Sequence, residues 1–169
     1  VFHNELDLTK TLRSHIAEDV ALWVKKLIDG NISSANELSI KIREQGFELY
    51  ITRDLDQAKS YAMGRYEGQN EKRFGLIASS KSNILPMFGV DNDFMTTRRF
   101  RGGPWFNDPP NSVKSCCAFN SVATEFQCQG LELDLPIVCW DDDVLWNDGW
   151  KTKKTTRRSK VKDPHTIRL

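Results

Sequence analysis

Residues 118–140 read AFNSVATEFQCQGLELDLPIVCW, and this stretch decides the fold. Residues 118–126 and 136–140 predict two β-strands. The connection between them is short and polar, and it turns at Gly130. We expect both strands to lie at the centre of a sheet.

The chain before this stretch alternates between helix and strand patterns. Apolar residues recur at helical spacing over 9–29 and predict an amphipathic first helix, and a capping box that begins at Ser34 predicts a second helix. Residues 47–52 predict a strand, and Asp54 predicts the N-cap of a third helix. Residues 73–78 then predict a short buried strand.

This alternation indicates an α/β fold. We expect a single domain over 1–169 with a mainly parallel sheet that is covered by helices on both faces. Such sheets place their binding sites at the carboxyl ends of the strands.

An irregular insertion is expected over about 82–114, where Gly and Pro recur and the periodicity fails. Its basic and aromatic residues are Arg98, Arg99, Arg101, Trp105 and Phe106. They could stack on nucleic-acid bases, but aromatic residues of loops more often anchor the loop to the core, and we favour that interpretation.

Composition limits the class of protein. The chain has 169 residues, of which 39% are hydrophobic, and no apolar run approaches the roughly 20 residues of a membrane span. It begins at Val1 without a secretion signal, so we expect a cytoplasmic piece of a longer chain. The four cysteines lack the spacing of a zinc site, which predicts reduced, mostly buried thiols.

The net charge of +1 conceals an uneven distribution of charge. Residues 151–169 contain eight Lys or Arg and one Asp, a local charge of +7, which leaves −6 for residues 1–150. The basic segment 151–162 suits phosphate backbones, although most such runs are solvated loops. The candidate contacts in it are Lys153, Lys154, Arg157 and Arg158.

The polar connection contains the first candidate binding residues. A strand ends near Thr124, the chain turns at Gly130, and Glu132 and Asp134 precede the next strand. A glycine permits close approach of the backbone to a ligand, and carboxylates can accept hydrogen bonds from sugar hydroxyls.

Segment 124–134, with its Thr-Glu-Phe and Gln-Gly-Leu-Glu, resembles motif V of superfamily 1 helicases. The residues of this segment are similar to those at the same motif in schlafen-type proteins and in uncharacterised bacterial helicase-like NTPases. Leu8, Arg13 and Ser14, at the start of the first helix, are similar to motif IV. The resemblance implies a three-layer RecA-like domain, the second lobe of a helicase motor.

The resemblance also implies roles for single residues. Arg13 would reach the γ-phosphate of ATP, where a guanidinium neutralises developing charge; the alternative is a surface arginine. Gly130 and Glu132 would face the nucleotide and its ribose. Coupling to nucleic acid is implied for Thr124 and Gln129, and contact with its phosphates for Ser79 and Lys81, although these last two also suit a solvated turn.

The sequence has no Gly-x-x-x-x-Gly-Lys-Ser/Thr phosphate loop and no Asp-Glu pair after an apolar strand. We therefore expect ATP and Mg²⁺ only in a full-length protein, where an N-terminal RecA-like lobe of the same polypeptide completes the site. The isolated chain is expected to be inactive. Its other expected partner is DNA or RNA in single-stranded form.

No metal site is predicted. The three aspartates at 141–143 could hold Mg²⁺, but a solvated strand end is the favoured interpretation. The histidines His3, His15 and His165 are scattered, without partners at catalytic spacing.

Two functions from different classes remain open at this point. The first is the second motor lobe of an ATP-dependent helicase or translocase. The second is a non-catalytic nucleic-acid-binding or protein-interaction module with a RecA-like form. A phosphate-loop lysine encoded upstream of Val1 would favour the first.

Overall fold

The protein is described by a computed structural model that covers residues 15–141, 144–152, 154–156 and 159–160. The chain divides into two compact units, Val1–Ile51 and Thr52–Leu169. The helices are α1 (His15–Ile28), α2 (Ile32–Glu44), α3 (Leu55–Arg65), α4 (Phe94–Arg98) and α5 (Gly102–Asn107). The strands are β1 (Phe74–Ala78), β2 (Val122–Thr124), β3 (Leu135–Cys139), β4 (Val144–Trp146), β5 (Trp150–Thr152), β6 (Lys154–Thr156) and β7 (Ser159–Lys160).

The first unit contains the two predicted amphipathic helices. Helix α1 is confirmed over its described part, and Asp19 of α1 forms an ion pair of 2.9 Å with Lys41 of α2. The predicted start of α2 is wrong by three residues, because the N-cap is Asn31 and not Ser34. The Asn31 side chain accepts a hydrogen bond from the Ser34 backbone N–H at 3.2 Å, which places Ser34 inside the first turn.

The strand predicted over 47–52 is wrong. These residues form neither helix nor strand, and the division between the two units falls after Ile51. Ile51 is 99% exposed and Tyr50 is 67% exposed, so their side chains are not part of a sheet core. A composition rich in β-formers is a weak predictor, because strand formation depends on packing against neighbouring strands and on burial.

The second unit is built on a three-stranded parallel sheet in the order β2-β1-β3. Strand β1 is confirmed, and it lies between the other two. The two later strands were expected at the centre, but both flank β1 in the described sheet. Strand β2 is also shorter than predicted, because the chain first forms a 3₁₀ turn over Cys116–Ala118.

The sheet is packed on both faces. Leu76 pairs with Val122 on one side and with Ile137 on the other, and these three side chains belong to one apolar cluster with Leu85 and Val90. A second cluster contains Trp105, Cys116 and Ala123. The predicted N-cap of α3 is confirmed, since the Asp54 side chain accepts from the Gln57 N–H at 3.0 Å.

The insertion contains short helices instead of irregular chain alone. A 3₁₀ turn covers Leu85–Phe88, and α4 and α5 follow it. Each has six residues or fewer, which is too short for a periodic pattern to be recognised. Beyond the sheet, β4 pairs antiparallel with β5, and β6 pairs antiparallel with β7.

Candidate functional site at the two edges of the sheet

Three loops meet at the carboxyl edge of the parallel sheet. Because β1, β2 and β3 run in one direction, the residues after each strand end on the same side. These are the 79–82 loop after β1, Glu125 after β2, and Asp141 shortly after β3. Ser79 and Lys81 follow β1 and Thr124 ends β2, so all three candidate residues lie at this edge.

Glu125 binds the 79–82 loop with both carboxylate oxygens. The Ser80 backbone N–H donates to Oε2 at 2.8 Å, and the Ser80 hydroxyl donates to Oε1 at 2.6 Å. Hydrogen bonds to a charged acceptor are shorter and stronger than neutral ones, so this contact fixes the loop firmly. This contact was not predicted, because Glu125 and Ser80 are 45 residues apart in the sequence.

Asp141 and Asn92 hold the same loop from its other side. The Ser82 hydroxyl donates to Asp141 Oδ2, and Asn92 Nδ2 donates to the carbonyls of Ser79 at 2.6 Å and Ser82 at 2.9 Å. Asp141 is only 8% exposed, so the expectation of a solvated strand end is wrong for this residue. Its hydrogen bond to a buried hydroxyl explains how the carboxylate is accommodated. The other two aspartates of 141–143 lie outside the described residues.

Two hydrogen bonds within the loop itself close the rest of it. The Lys81 N–H donates to the Ser79 hydroxyl at 3.2 Å, and the Ser82 N–H donates to the Ser79 carbonyl at 3.4 Å. The Lys81 side chain is exposed. The loop therefore presents a single cation to solvent on a fixed backbone.

Thr124 lies at the same edge, but it faces the interior. It is buried, and Gln127 Oε1 accepts from both the Thr124 N–H at 2.9 Å and its hydroxyl at 3.1 Å. Gln127 Nε2 in turn donates to the Thr97 carbonyl of α4 at 2.8 Å. Gln127 thus links β2 to the insertion, a role that sequence analysis did not assign. Gln129, two residues later, is exposed.

Glu132 lies at the opposite, amino edge of the sheet, and not at the carboxyl edge where the sequence led us to expect binding sites. The connection from β2 must return the chain to the start of β3, since the two strands are parallel. Glu132 lines an open depression of about 480 Å³ there. Its other lining residues are Glu71, Arg73, Phe106, Asn107, Leu133 and Asp134.

An ion pair anchors this edge. Lys72 Nζ is 2.9 Å from Asp134 Oδ1, and the Arg73 N–H donates to Asp134 Oδ2 at 2.8 Å. Partial burial acts to raise the pKa of Asp134, but these donors outweigh it and hold the pKa below its ordinary value. The same contact raises the pKa of Lys72.

Gly130 joins the two edges. It has a φ of +81°, in the left-handed region, and no atom lies within 4 Å of the position that a Cβ would occupy. A side chain there would have space but an unfavourable backbone conformation, so the turn favours glycine. The structure thus separates the predicted nucleotide residue Glu132 from Ser79 and Lys81, which lie at the other end of the strands.

The aromatic residues of the insertion pack inward, which confirms the favoured interpretation. Trp105 is 1% exposed, its ring centroid lies 5.4 Å from that of Phe100, and Phe106 is partly buried against the same cluster. The three arginines of the insertion behave differently, because all of them are exposed. They are Arg98, Arg99 and Arg101.

Several predicted residues lie outside the described part of the chain. They are Leu8, Arg13 and Ser14 of the motif IV resemblance, Lys153, Arg157 and Arg158 of the basic segment, and His3 and His165. For Lys154 only the backbone is described, as part of β6.

The described residues contain four free thiols, of which Cys116 and Cys117 are buried and the other two partly buried. They contain no group of three or more His, Cys, Asp or Glu side chains that could hold a metal ion. No helix in the described ranges is long and apolar enough to cross a membrane.

Comparison with known proteins identifies the family. No curated protein and no solved structure matches the chain significantly. A family model described as Schlafen group 3, DNA/RNA helicase domain, matches residues 1–167. Because this match covers nearly the whole sequence, the chain belongs to the Schlafen group 3 DNA/RNA helicase domain family.

Proposed function

We propose that this chain is the second, RecA-like motor lobe of an ATP-dependent helicase or translocase that acts on DNA or RNA. One observation supports this most directly. Segment 124–134 begins at the carboxyl edge, where Thr124 and Glu125 lie, and ends at the amino edge beside Glu132 and Asp134. A motor lobe has to connect a nucleotide site with a nucleic-acid site, and one segment here reaches both edges.

The amino-edge depression suits part of a nucleotide. Three of its lining residues are carboxylates, Glu71, Glu132 and Asp134, and one is a guanidinium, that of Arg73. Carboxylates accept hydrogen bonds from ribose hydroxyls but repel a triphosphate. The residues therefore fit the sugar of ATP, with Gly130 allowing the turn that presents Glu132. Hydrolysis of bound ATP supplies the free energy for movement.

The triphosphate and Mg²⁺ would be bound elsewhere in the full-length protein. We assign them to an N-terminal RecA-like lobe with a phosphate loop, and Arg13 would approach the γ-phosphate when the two lobes close. Closure of the lobes would be coupled to the carboxyl edge, where nucleic acid binds, through the exposed Gln129 and the buried Thr124. Single-stranded nucleic acid would lie along that edge and along the basic segment 151–162.

The test uses the full-length protein. Arg13→Ala should lower kcat for ATP by a factor on the order of 10³ or more, as for other arginines that stabilise phosphoryl transfer. Glu132→Gln should mainly raise KM, because a ribose contact is made equally in the ground and transition states. Normal turnover by the Arg13 variant would defeat the catalytic role of that residue.

A non-catalytic nucleic-acid-binding module is the second candidate, and the exposed Arg98, Arg99 and Arg101 favour it. Exposed guanidinium groups bind phosphate backbones without any need for ATP. The two candidates differ in one measurement, the ATPase rate of the full-length protein with and without oligonucleotide. Oligonucleotide binding with no ATP hydrolysis in either condition would favour the module.

A further inference from the structure

The 79–82 loop is tied down on both sides of one lysine. Ser80 is held by Glu125, which follows β2, and Ser82 is held by Asp141, which follows β3. Lys81 lies between the two serines and is exposed. Its backbone is fixed at both neighbours, whereas its side chain extends from the carboxyl edge.

The backbone amides of this loop are already occupied. Those of Ser80, Lys81 and Ser82 donate to Glu125, to the Ser79 hydroxyl and to the Ser79 carbonyl, at 2.8, 3.2 and 3.4 Å. An anion-binding nest needs successive N–H groups that point at the ligand. A phosphate at this loop would therefore be bound through the ammonium group of Lys81.

We propose that Glu125 is a positioning residue that holds Lys81 for a phosphate of single-stranded nucleic acid, an inference that rests on the proposed function. Glu125 does not touch the nucleic acid. It acts through Ser80, whose amide and hydroxyl it accepts at 2.8 and 2.6 Å. A lysine on a fixed backbone loses less conformational entropy on binding than one on a mobile loop. Since Glu125 belongs to segment 124–134, the contact also connects that segment to the nucleic acid.

The sign of one substitution separates positioning from simple electrostatics. Removing a carboxylate beside a phosphate site strengthens phosphate binding when charge alone matters. Loss of positioning weakens it. Glu125→Gln keeps the size of the side chain, but it replaces one acceptor oxygen with an amide donor and so breaks the paired contact to Ser80.

The experiment measures binding of fluorescent oligo-dT and oligo-U to the full-length protein by anisotropy over a series of salt concentrations. Glu125→Gln and Lys81→Ala should each weaken binding several-fold. Each should also lower the slope of log K against log salt by about one, because one phosphate contact is lost. The double variant should bind no more weakly than Lys81→Ala alone, since both changes remove the same contact.

Controls separate this role from a general loss of structure. Glu67→Gln removes an exposed carboxylate in the turn before β1 and should leave the binding constant and salt slope unchanged. Ser80→Ala removes one of the two hydrogen bonds to Glu125 and should weaken oligonucleotide binding less than Glu125→Gln does. If Glu125→Gln lowers the urea midpoint and so destabilises the protein, Ser80→Ala is used for the test instead.

Three results would overturn the inference. They are equal or tighter binding by Glu125→Gln, an unchanged salt slope, and full additivity with Lys81→Ala. If the wild-type protein binds oligonucleotide and Glu125→Gln behaves like it, only the positioning role fails. If the wild-type protein binds neither oligonucleotide, the proposed function fails with it.

Discussion

Gly75→Ala should destabilise the second unit, because Gly75 lies in β1 against a tightly packed neighbour. A Cβ at this position would stand 2.9 Å from the Cys116 Cβ, 3.0 Å from Trp105 Cζ2 and 3.4 Å from the Cys116 carbonyl oxygen. Optimal carbon–carbon contacts are about 3.5–4.0 Å. The new methyl group would therefore overlap two neighbours by about half an ångström or more.

The cost follows from what would have to move. Trp105 and Cys116 are both almost fully buried, so neither can rotate into solvent. Overpacking of this kind costs about 1–3 kcal/mol. Gly75 is not at positive φ, so alanine adds no backbone strain. Alanine also lowers the conformational entropy of the unfolded chain, which stabilises the folded state by about 0.4–1 kcal/mol and offsets part of this cost. We expect a net loss of about 1–2 kcal/mol.

The assay is urea unfolding followed by far-ultraviolet circular dichroism. Gly64→Ala is the matched control, because Gly64 lies inside α3 and has no atom within 4 Å of the position of the added Cβ. It should raise the free energy of unfolding by up to about 1 kcal/mol, the difference in helix propensity. If Gly75→Ala is as stable as Gly64→Ala, the packing argument is refuted.

Three further predictions concern other contacts of the structure. Gln127→Leu should lower the free energy of unfolding by about 1–3 kcal/mol, because it leaves the buried Thr124 N–H and hydroxyl without their acceptor; an unchanged urea midpoint would contradict this. The pKa of Asp134 is held below its ordinary value of 3.8, so its stabilising contribution is present above that value and is lost as the pH falls through the folded-state pKa. Asp134→Asn should therefore lower the urea midpoint at pH 7, and below about pH 5 the midpoint of the variant should fall less with pH than that of the wild type. Parallel pH profiles for the wild type and the variant would exclude the effect. Cys116 and Cys117 should react with a thiol reagent at the rate of unfolding, since both are buried; rapid labelling of either in the native protein, detected by peptide mass spectrometry, would show that the 3₁₀ turn is open.

Local signals in the sequence predicted much of the second unit. Asp54 marked the start of α3 correctly, since its carboxylate caps the helix within three residues. Strands β1 and β3 were found because their apolar runs are short and continuous. The order of the strands was not found, although Pro136 gave a clue, since proline within a sheet is found on edge strands.

The candidate site could be predicted only in part, for two physical reasons. Asn92 contacts Ser79 across 13 residues, and no local pattern specifies which amide fills such a position. The separation of Glu132 from Lys81 was predictable, because a connection between parallel strands has to cross from one edge of the sheet to the other. Short helices such as α4 leave too few residues for periodicity, although Asp93 caps α4 with two backbone hydrogen bonds.

Segment 124–134 also has a thermodynamic consequence. If nucleotide at Glu132 alters the conformation of this segment, and nucleic acid at the opposite edge responds, then the two ligands share one coupling free energy. The factor by which nucleotide changes the affinity for nucleic acid then equals the factor by which nucleic acid changes the affinity for nucleotide. Gly130 is the place where this coupling can be weakened without removing either contact, because it is the glycine at positive φ between the two ends. A β-branched residue there would strain the turn, so the two coupling factors would fall together and remain equal.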